Sequence, residues 1–284
     1  MKRYKKEEKG ILEVGQILYT KRFTLTLDRN LCKGCELCRL VCPRWAISLV
    51  PVKEENGKAV APLVDIDENK CDYHGICAAV CPFSAIKITV NDMEALPTID
   101  KEAFPTLIRD IEVKSELCEP GCKKCEEKCP LGVISVSSDS SGTVVNVKKE
   151  LCASCQICRL ECPVDAIDVT KFIEGAIVIT PWECPDGCHK CLDVCPVDAL
   201  ALGGDGKVCA KDMYCIYCGA CLEVCPVPDA LSIERTVIRH TSVDSGAWNK
   251  GLERLTSTSG LMSELTAERA LKTREAILKQ GGTA

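Results

Sequence analysis

The sequence is poor in aromatic residues and has no long apolar stretch. Phe, Trp and Tyr make up 4% of its 284 residues, too few for a large aromatic core. No apolar run approaches the length of a membrane-spanning helix, and the basic N-terminus lacks the apolar segment of a secretory signal. We therefore expect a cytoplasmic protein without a membrane span, in a compartment where thiols stay reduced.

The common motifs of catalytic sites are also missing. There is no P-loop, no G-x-G-x-x-G between a strand and a helix, no G-x-S-x-G and no H-E-x-x-H. The chain has only three His, and its formal net charge of -5 disfavours nucleic acid as a partner. These absences predict a chain with no catalytic residues, which is not itself an enzyme.

Cysteine, by contrast, is abundant, with 24 residues. The clearest group is Cys215-Ile-Tyr-Cys218-Gly-Ala-Cys221-Leu-Glu-Val-Cys225-Pro226, which has C-x2-C-x2-C-x3-C-P spacing. Three closely spaced thiolates can bind three irons of a [4Fe–4S] cluster, and the fourth ligates the neighbouring cluster in two-cluster ferredoxins. Zinc sites usually use two separated pairs instead. The spacing therefore predicts an iron–sulfur cluster.

The same motif occurs six times, which predicts about six [4Fe–4S] clusters per chain. The predicted iron ligands are Cys32, Cys35, Cys38, Cys42, Cys71, His74, Cys77, Cys81, Cys118, Cys122, Cys125, Cys129, Cys152, Cys155, Cys158, Cys162, Cys184, Cys188, Cys191, Cys195, Cys215, Cys218, Cys221 and Cys225.

His74 stands where the second motif should have its second cysteine. Three interpretations stay open. His74 ligates iron, as His does in some iron–sulfur centres. Alternatively the site holds a [3Fe–4S] cluster, or the cluster is lost and His74 is an ordinary surface residue. A neutral imidazole in place of a thiolate removes one negative charge, so a His-ligated cluster should have a higher potential.

The motif spacings predict how the motifs pair. The third and fifth motifs have a longer first gap, Glu119-Pro120-Gly121 and Pro185-Asp186-Gly187, whereas the fourth and sixth have the ordinary one. This favours pairing the third with the fourth, the fifth with the sixth, and the first with the second. With the fourth cysteines exchanged within each pair, the predicted sites, numbered by motif, are site 1 (Cys32, Cys35, Cys38, Cys81), site 2 (Cys71, His74, Cys77, Cys42), site 3 (Cys118, Cys122, Cys125, Cys162), site 4 (Cys152, Cys155, Cys158, Cys129), site 5 (Cys184, Cys188, Cys191, Cys225) and site 6 (Cys215, Cys218, Cys221, Cys195).

The predicted fold class is α+β, a tandem repeat of three two-cluster ferredoxin-like domains with a mostly helical, Cys-free C-terminal tail. Alternating apolar residues around each motif indicate a strand, a Cys loop, a short helix and a strand. The predicted divisions are an N-terminal extension (1–21), a first unit with a linker (22–111), a second unit (112–172), a third unit (173–238) and a docking tail (239–284).

Further expectations concern the connecting segments. Residues 1–21 are predicted to be a solvated tail with a short docking segment, Lys101 to Arg109 a short helix, and Ser137 to Gly142 a loop. In the tail, Leu261, Leu265, Leu271 and Leu278 lie on one helical face. That face either packs back on the third unit or docks to a partner or a second copy of the chain.

The remaining cysteine and the side chains near the motifs also carry predictions. Cys209 is expected to be a buried thiol, with a redox or ligand-exchange role as the alternative. His189 is predicted to line a cluster or lie at the surface, and Trp45 and Trp182 are predicted to pack beside their motifs. Site 6, the last before the tail, is a candidate terminus of the electron path.

The whole chain resembles the polyferredoxin component of archaeal formylmethanofuran dehydrogenase. The resemblance rests on Gly121-Cys122, Gly187-Cys188, the Tyr214–Pro226 stretch, and the segment from Arg239-His240-Thr241 to Ala247-Trp248-Asn249-Lys250. It implies an electron-transfer subunit in a large complex of an anaerobe. Its partners would be other iron–sulfur proteins and catalytic molybdopterin subunits. At the tungsten or molybdenum of those subunits CO2 would be reduced in methanogenesis, or the same reaction would run in reverse. Two alternatives stay open: a polyferredoxin of a hydrogenase or heterodisulfide reductase, and a redox-sensing or structural cluster protein.

Overall fold

The computed structural model describes residues 1–139, 142–227 and 230–257. Its strands are β1 (Lys2–Glu8), β2 (Ile11–Ile17), β3 (Arg22–Asp28), β4 (Ile47–Val50), β5 (Leu63–Ile66), β6 (Ile86–Val90), β7 (Met93–Glu94), β8 (Ile111–Val113), β9 (Ile134–Asp139), β10 (Gly142–Val147), β11 (Ile167–Val169), β12 (Ile173–Ile179), β13 (Leu200–Leu202), β14 (Val208–Ala210) and β15 (Leu231–Ile238).

The helices are short. The α-helices are α1 (Leu37–Val41), α2 (Ile76–Ala79), α3 (Pro97–Asp100), α4 (Lys124–Glu127), α5 (Ile157–Leu160), α6 (Lys190–Asp193) and α7 (Gly246–Thr256). Single 3₁₀ turns lie at Ser115–Leu117, Lys149–Leu151, Pro181–Glu183, Asp212–Tyr214 and Leu222–Val224. Among the described residues, no helix is both long enough and apolar enough to cross a membrane.

One strand arrangement recurs around each predicted pair of motifs. A strand before the first motif pairs antiparallel with the strand after the second: β3 with β6, β8 with β11, and β12 with β15. An antiparallel pair joins the two motifs: β4 with β5, β9 with β10, and β13 with β14. Each motif loop therefore lies between a strand of one pair and a strand of the other.

The N-terminal residues differ from the predicted tail. Strands β1 and β2 extend the β3–β6 pair into a five-stranded sheet of order β1-β2-β3-β6-β7. In β2, Leu12 and Val14 are buried beside Leu25 and Leu27 of β3. The charged β1 residues pair outward, for example Lys5 with Asp65 at 2.6 Å. The charge pattern suggested a solvated tail because β1 is an edge strand, and charged side chains there discourage strand addition.

Two other connecting segments also differ from expectation. The linker helix is α3 (Pro97–Asp100), earlier in the chain than the predicted Lys101 to Arg109. Pro97 at the start of the helix fixes its first turn. The predicted loop from Ser137 to Gly142 is mostly strand, because β9 continues to Asp139 and β10 begins at Gly142. The polar serines there alternate along a strand pair that is open to solvent on one face.

Helix α7 packs on the first unit as well as on the third. Ser245 caps it, accepting from Trp248 N–H at 3.1 Å and donating to the Ala103 carbonyl at 2.6 Å. Trp248 is buried, with its ring edge against Phe104 at 5.0 Å between centroids. The described start of the Cys-free tail is thus fixed to the linker. The predicted face of Leu261, Leu265, Leu271 and Leu278 lies outside the described residues.

Candidate iron–sulfur sites

The loop geometry directs backbone N–H groups toward the thiols. The residue before the second ligand position has positive φ at Gly34, Tyr73, Ser154 and Tyr217. This turn lets the N–H of Ser154 donate to Cys152 Sγ and that of Tyr217 donate to Cys215 Sγ, both at 3.4 Å. Such donors stabilise a thiolate over a thiol, because they interact best with negative charge.

The fourth cysteine of four motifs has a matching donor. The N–H of an alanine four residues later reaches Sγ at 3.3–3.4 Å, in the pairs Ala46–Cys42, Ala85–Cys81, Ala166–Cys162 and Ala199–Cys195. These alanines are buried. The recurring C-P-x-x-A spacing is the sequence signal for this contact, which was not among the predictions.

The structure brings together the predicted sets of residues. Separate small cavities are lined by the four cysteines of site 3, of site 4 and of site 5. Another is lined by Cys42, Cys71, His74 and Cys77, the residues of site 2. In site 1, burial raises the pKa of the first three thiols, and nearby Cys81 raises each pKa further. In site 6, burial raises the pKa of the three thiols of the sixth motif, and nearby Cys195 raises each of these pKa values further.

The chemistry of these sets fits an iron–sulfur cluster. Each cavity is small, apolar and lined by converging thiols, with the imidazole of His74 at one corner of site 2. Burial raises the pKa of Cys71, Cys155 and Cys215 to about 11. A bound cluster would take these side chains as thiolates and release their protons, and the buried N–H donors would stabilise the resulting negative charge.

His74 occupies the place of a thiol in the loop geometry. The N–H of Ile76 donates to His74 Nδ1 at 3.2 Å. At the equivalent positions, N–H groups two residues later interact with the thiols of Cys35, Cys155 and Cys218. Burial lowers the pKa of His74, which favours the neutral imidazole that binds metals. Nδ1 has one lone pair, so binding iron through Nδ1 requires giving up the Ile76 contact.

Other singled-out residues lie apart from the cavities. Cys209 is exposed on β14, so the prediction of a buried thiol is wrong; in its two-stranded ribbon the Cys209 face has no layer above it. Trp182 is 80% exposed and packs on little, contrary to prediction. Trp45 lies under the Arg254 guanidinium at 4.7 Å. His189 lies at the surface, one of its two predicted places, with Nδ1 at 3.0 Å from the Gly187 carbonyl.

Sites 1 and 6 adjoin. The N–H of Glu36 donates to the Cys218 carbonyl at 3.3 Å, and the Glu36 carboxylate pairs with buried Arg235. The Cys218 thiol adds to the effect of burial in raising the pKa of Cys35. Site 6 therefore lies at a contact between the first and third units. This differs from the terminal position that its place in the sequence suggested.

Basic side chains join the units elsewhere. Arg109 donates to the carbonyls of Cys81 at 2.9 Å and Pro82 at 3.0 Å, and also to that of Cys152. It thereby links site 1 to site 4. Lys171 donates to the Cys215 carbonyl at 2.8 Å, and the Cys155 thiol is near enough to act on its charge. The sequence did not predict the roles of Glu36, Arg109, Lys171 and Arg235, because nothing in their local patterns marks a long-range partner.

The ligand cysteines differ in exposure from site to site. The thiols of the third and fifth motifs are partly exposed. The three thiols that the sixth motif contributes to site 6 are buried, and so are those of Cys152, Cys155 and Cys158 in site 4. Sites 3 and 5 are accordingly the more accessible, and sites 1, 4 and 6 lie at the contacts between units.

Family models of the 4Fe-4S dicluster domain match residues 31–85, 143–196 and 175–228. Over 66 residues the chain is 39% identical to an uncharacterized ferredoxin of Methanocaldococcus jannaschii, covering 23% of this chain and 78% of that protein. Over 63 residues it is 44% identical to a dihydromethanopterin reductase (acceptor) of Methanosarcina mazei, covering 22% of this chain and 23% of that protein. It is 33% identical over 58 residues to NADH-quinone oxidoreductase subunit I 2 of Geobacter metallireducens, covering 20% of this chain and 44% of that protein. The matches thus span less than half the length of these last two relatives.

Among solved structures, the chain is similar to one in the formate dehydrogenase–heterodisulfide reductase–formylmethanofuran dehydrogenase complex of Methanospirillum hungatei. The TM-score is 0.80 at 29% sequence identity, covering 90% of this chain and 91% of that chain. Fold and sites together define an iron–sulfur electron-transfer protein with multiple [4Fe–4S] clusters. The chain belongs to the 4Fe-4S ferredoxin family.

Proposed function

We propose that this chain is the polyferredoxin that relays electrons to the tungsten or molybdenum subunit of a formylmethanofuran dehydrogenase. The observation that carries this proposal is the structural likeness to a chain of the Methanospirillum hungatei complex, which extends over nine tenths of both chains. A likeness confined to one dicluster domain would be common to many electron carriers. This one extends over all three of the proposed two-cluster units.

The proposed cofactor content is six clusters in three two-cluster domains, held by the residue sets of sites 1 to 6. Two observations support the assignment. The same strand pairs recur around each pair of motifs, and the four cysteines of a predicted site line one cavity, as at sites 4 and 5. When bound, the clusters supply one-electron redox chemistry. The protein holds them in fixed positions, excludes water from the inner sites, and provides N–H donors to the ligand sulfurs.

At site 2 we propose that His74 ligates iron through Nδ1. The support is the position of Nδ1, which accepts the N–H bond that a thiol sulfur takes in the other loops. The lowered pKa keeps the ring neutral and available as a ligand.

Anaerobic purification of the native protein tests the proposal. We expect co-purification with a molybdopterin-containing subunit and about 24 iron atoms per chain, four for each cluster. Co-purification with a hydrogenase and no molybdopterin subunit would refute the proposed complex. An iron content of about 16 or below per chain would refute the cluster assignment.

A further inference from the structure

The backbone carbonyl of His74 is held by a hydroxyl from the linker between the first and second units. Thr98 Oγ1 donates to this oxygen at 2.7 Å, across 24 residues of sequence. A threonine hydroxyl in a helix commonly bonds to a carbonyl of its own helix. That of Thr98, in α3, bonds instead to the loop of the second motif, so it ties the linker to site 2.

The linker backbone also covers the residue that follows His74. Gly75 has φ +90°, and a Cβ there would lie 3.1 Å from Leu96 Cδ2 and 3.7 Å from Leu96 Cα. Tyr73, on the other side of His74, has φ +56°. Because the left-handed region is disfavoured for residues other than glycine, the backbone around His74 depends on surrounding contacts to keep its conformation.

Thr98 is fixed in turn by the rest of the linker and by helix α7. The N–H groups of Ala103 and Phe104 donate to the Thr98 carbonyl at 2.8 and 3.2 Å. The Ala103 carbonyl accepts from Ser245 Oγ at 2.6 Å. Phe104 packs on the edge of Trp248. The hydroxyl donor therefore belongs to a segment that is held at both ends.

The equivalent carbonyl of the sixth motif is also held, but by a different kind of donor. There the carbonyl of Cys218, at the second ligand position, accepts from the Glu36 N–H at 3.3 Å. A backbone N–H does not depend on the type of residue that supplies it. At site 2 the donor is a side chain, so the contact depends on the identity of residue 98.

An imidazole ligand needs such support more than a thiolate does. The ligating nitrogen of a neutral imidazole has one lone pair, so the ring must point at the metal in one orientation. A thiolate sulfur has lone pairs in several directions and tolerates rotation of its side chain. Residues that orient a histidine ligand therefore affect metal affinity, and their loss typically costs about 10–100-fold.

We propose that Thr98 is a positioning residue for His74, holding the His74 peptide so that the imidazole keeps the orientation in which it ligates iron at site 2. This inference rests on the proposed ligation by His74. Thr98 acts through the carbonyl of the ligand residue and not on iron directly. Its effect is specific to site 2, because only the second of the six motifs has a histidine at this position.

The test combines pulsed EPR of the reduced protein, purified anaerobically in its complex, with the rate at which a chelator removes iron. The wild-type protein should show a coupled ligand nitrogen that is lost in His74→Cys. Thr98→Val keeps the shape of the side chain without the hydroxyl. It should alter the nitrogen coupling and make iron loss from site 2 about tenfold faster. Thr98→Ser keeps the hydroxyl and should match the wild type.

Two comparisons separate positioning from a general effect on the fold. When combined with His74→Cys, Thr98→Val should change the rate of iron loss little, since a thiolate does not need one fixed orientation. Thr106→Val is the matched control in the same linker. Thr106 is exposed and bonds to Thr241 through its backbone N–H and carbonyl, so this variant should leave both measurements unchanged.

The inference and the proposed function fail differently. A nitrogen coupling and a rate of iron loss that stay unchanged in Thr98→Val would overturn the inference and leave ligation by His74 intact. Equal acceleration of iron loss by Thr98→Val with and without His74→Cys would also overturn it, since the role of Thr98 would then be structural. A wild-type protein with full iron content and no coupled ligand nitrogen would refute ligation by His74, and the inference with it, while the electron-transfer assignment would stand.

Discussion

The carboxylate of Glu36 and the guanidinium of Arg235 form a buried ion pair, with 2.7 Å between Oε1 and Nη2 across 199 residues of sequence. The side chains are 11% and 5% exposed. Arg235 also donates to the Tyr217 carbonyl at 2.8 Å. The pair thereby fixes the loop of the sixth motif to the start of helix α1 in the first unit.

Breaking this pair on one side should loosen the contact between sites 1 and 6. Removing one partner of a buried pair leaves an uncompensated charge and typically costs about 3–5 kcal/mol. We expect Glu36→Gln to lower the denaturant concentration at which cluster absorbance is lost. The double variant Glu36→Gln with Arg235→Met should lose less than the sum of the single variants. Strict additivity would show that the two side chains do not interact.

Gly219 provides a steric test of the same contact. Its φ is +85°, and a Cβ there would lie 2.6 Å from the Glu36 side chain. Gly219→Ala should therefore combine backbone strain with displacement of Glu36, and destabilise the chain by more than about 1 kcal/mol. Gly57 is the matched control, since it has φ +74° and open space around its Cβ position. Equal effects of the two variants on urea-induced cluster loss would contradict the proposed steric role.

His74→Cys tests the ligand assignment at site 2. Replacing a neutral imidazole with a thiolate adds one negative charge, so the midpoint potential of one cluster should become more negative while the others stay unchanged. Mössbauer and EPR spectra should retain a [4Fe–4S] signature at that site. A gain of one iron atom per chain would instead indicate that the wild-type site holds three irons, and unchanged potentials would argue against ligation.

Cys209 should be the reactive thiol of the loaded protein. It is exposed on β14 and lies outside the four-residue sets, whereas the other cysteines are predicted to bind iron. A maleimide reagent applied anaerobically should label about one cysteine per chain, and Cys209→Ser should abolish labelling without loss of iron. Substantial labelling in Cys209→Ser would show that another cysteine is not bound. Loss of iron in that variant would assign Cys209 a cluster role.

Most of the candidate ligands were predicted from local sequence patterns. The spacing of Cys32, Cys35 and Cys38 forces their thiols into one loop, and the exchange of Cys42 and Cys81 follows from pairing two such loops. The strands also follow from alternation, as at Leu25 and Leu27 in β3. These features depend on residues close in sequence, or on a rule that the motif itself contains.

The contacts between units could not be predicted in this way. Arg109 joins carbonyls of Cys81 and Cys152, residues 28 and 43 positions away. Its neighbours in sequence show no special pattern, because backbone carbonyls are present at every residue. The misplacement of site 6 as a terminus has the same origin, since order along the chain says little about which units adjoin.

A contact made by helix α7 determines when the first unit reaches its final structure during synthesis. Arg254 in this helix donates to the Cys42 carbonyl at 3.1 Å, across 212 residues. Cys42 is the predicted fourth ligand of site 2, so part of the support of that early site is made only after the last cysteine has left the ribosome. A nascent chain stalled before residue 246 would carry a first unit without this brace, and iron inserted at site 2 would be lost to chelators more readily than from a chain in which helix α7 has formed.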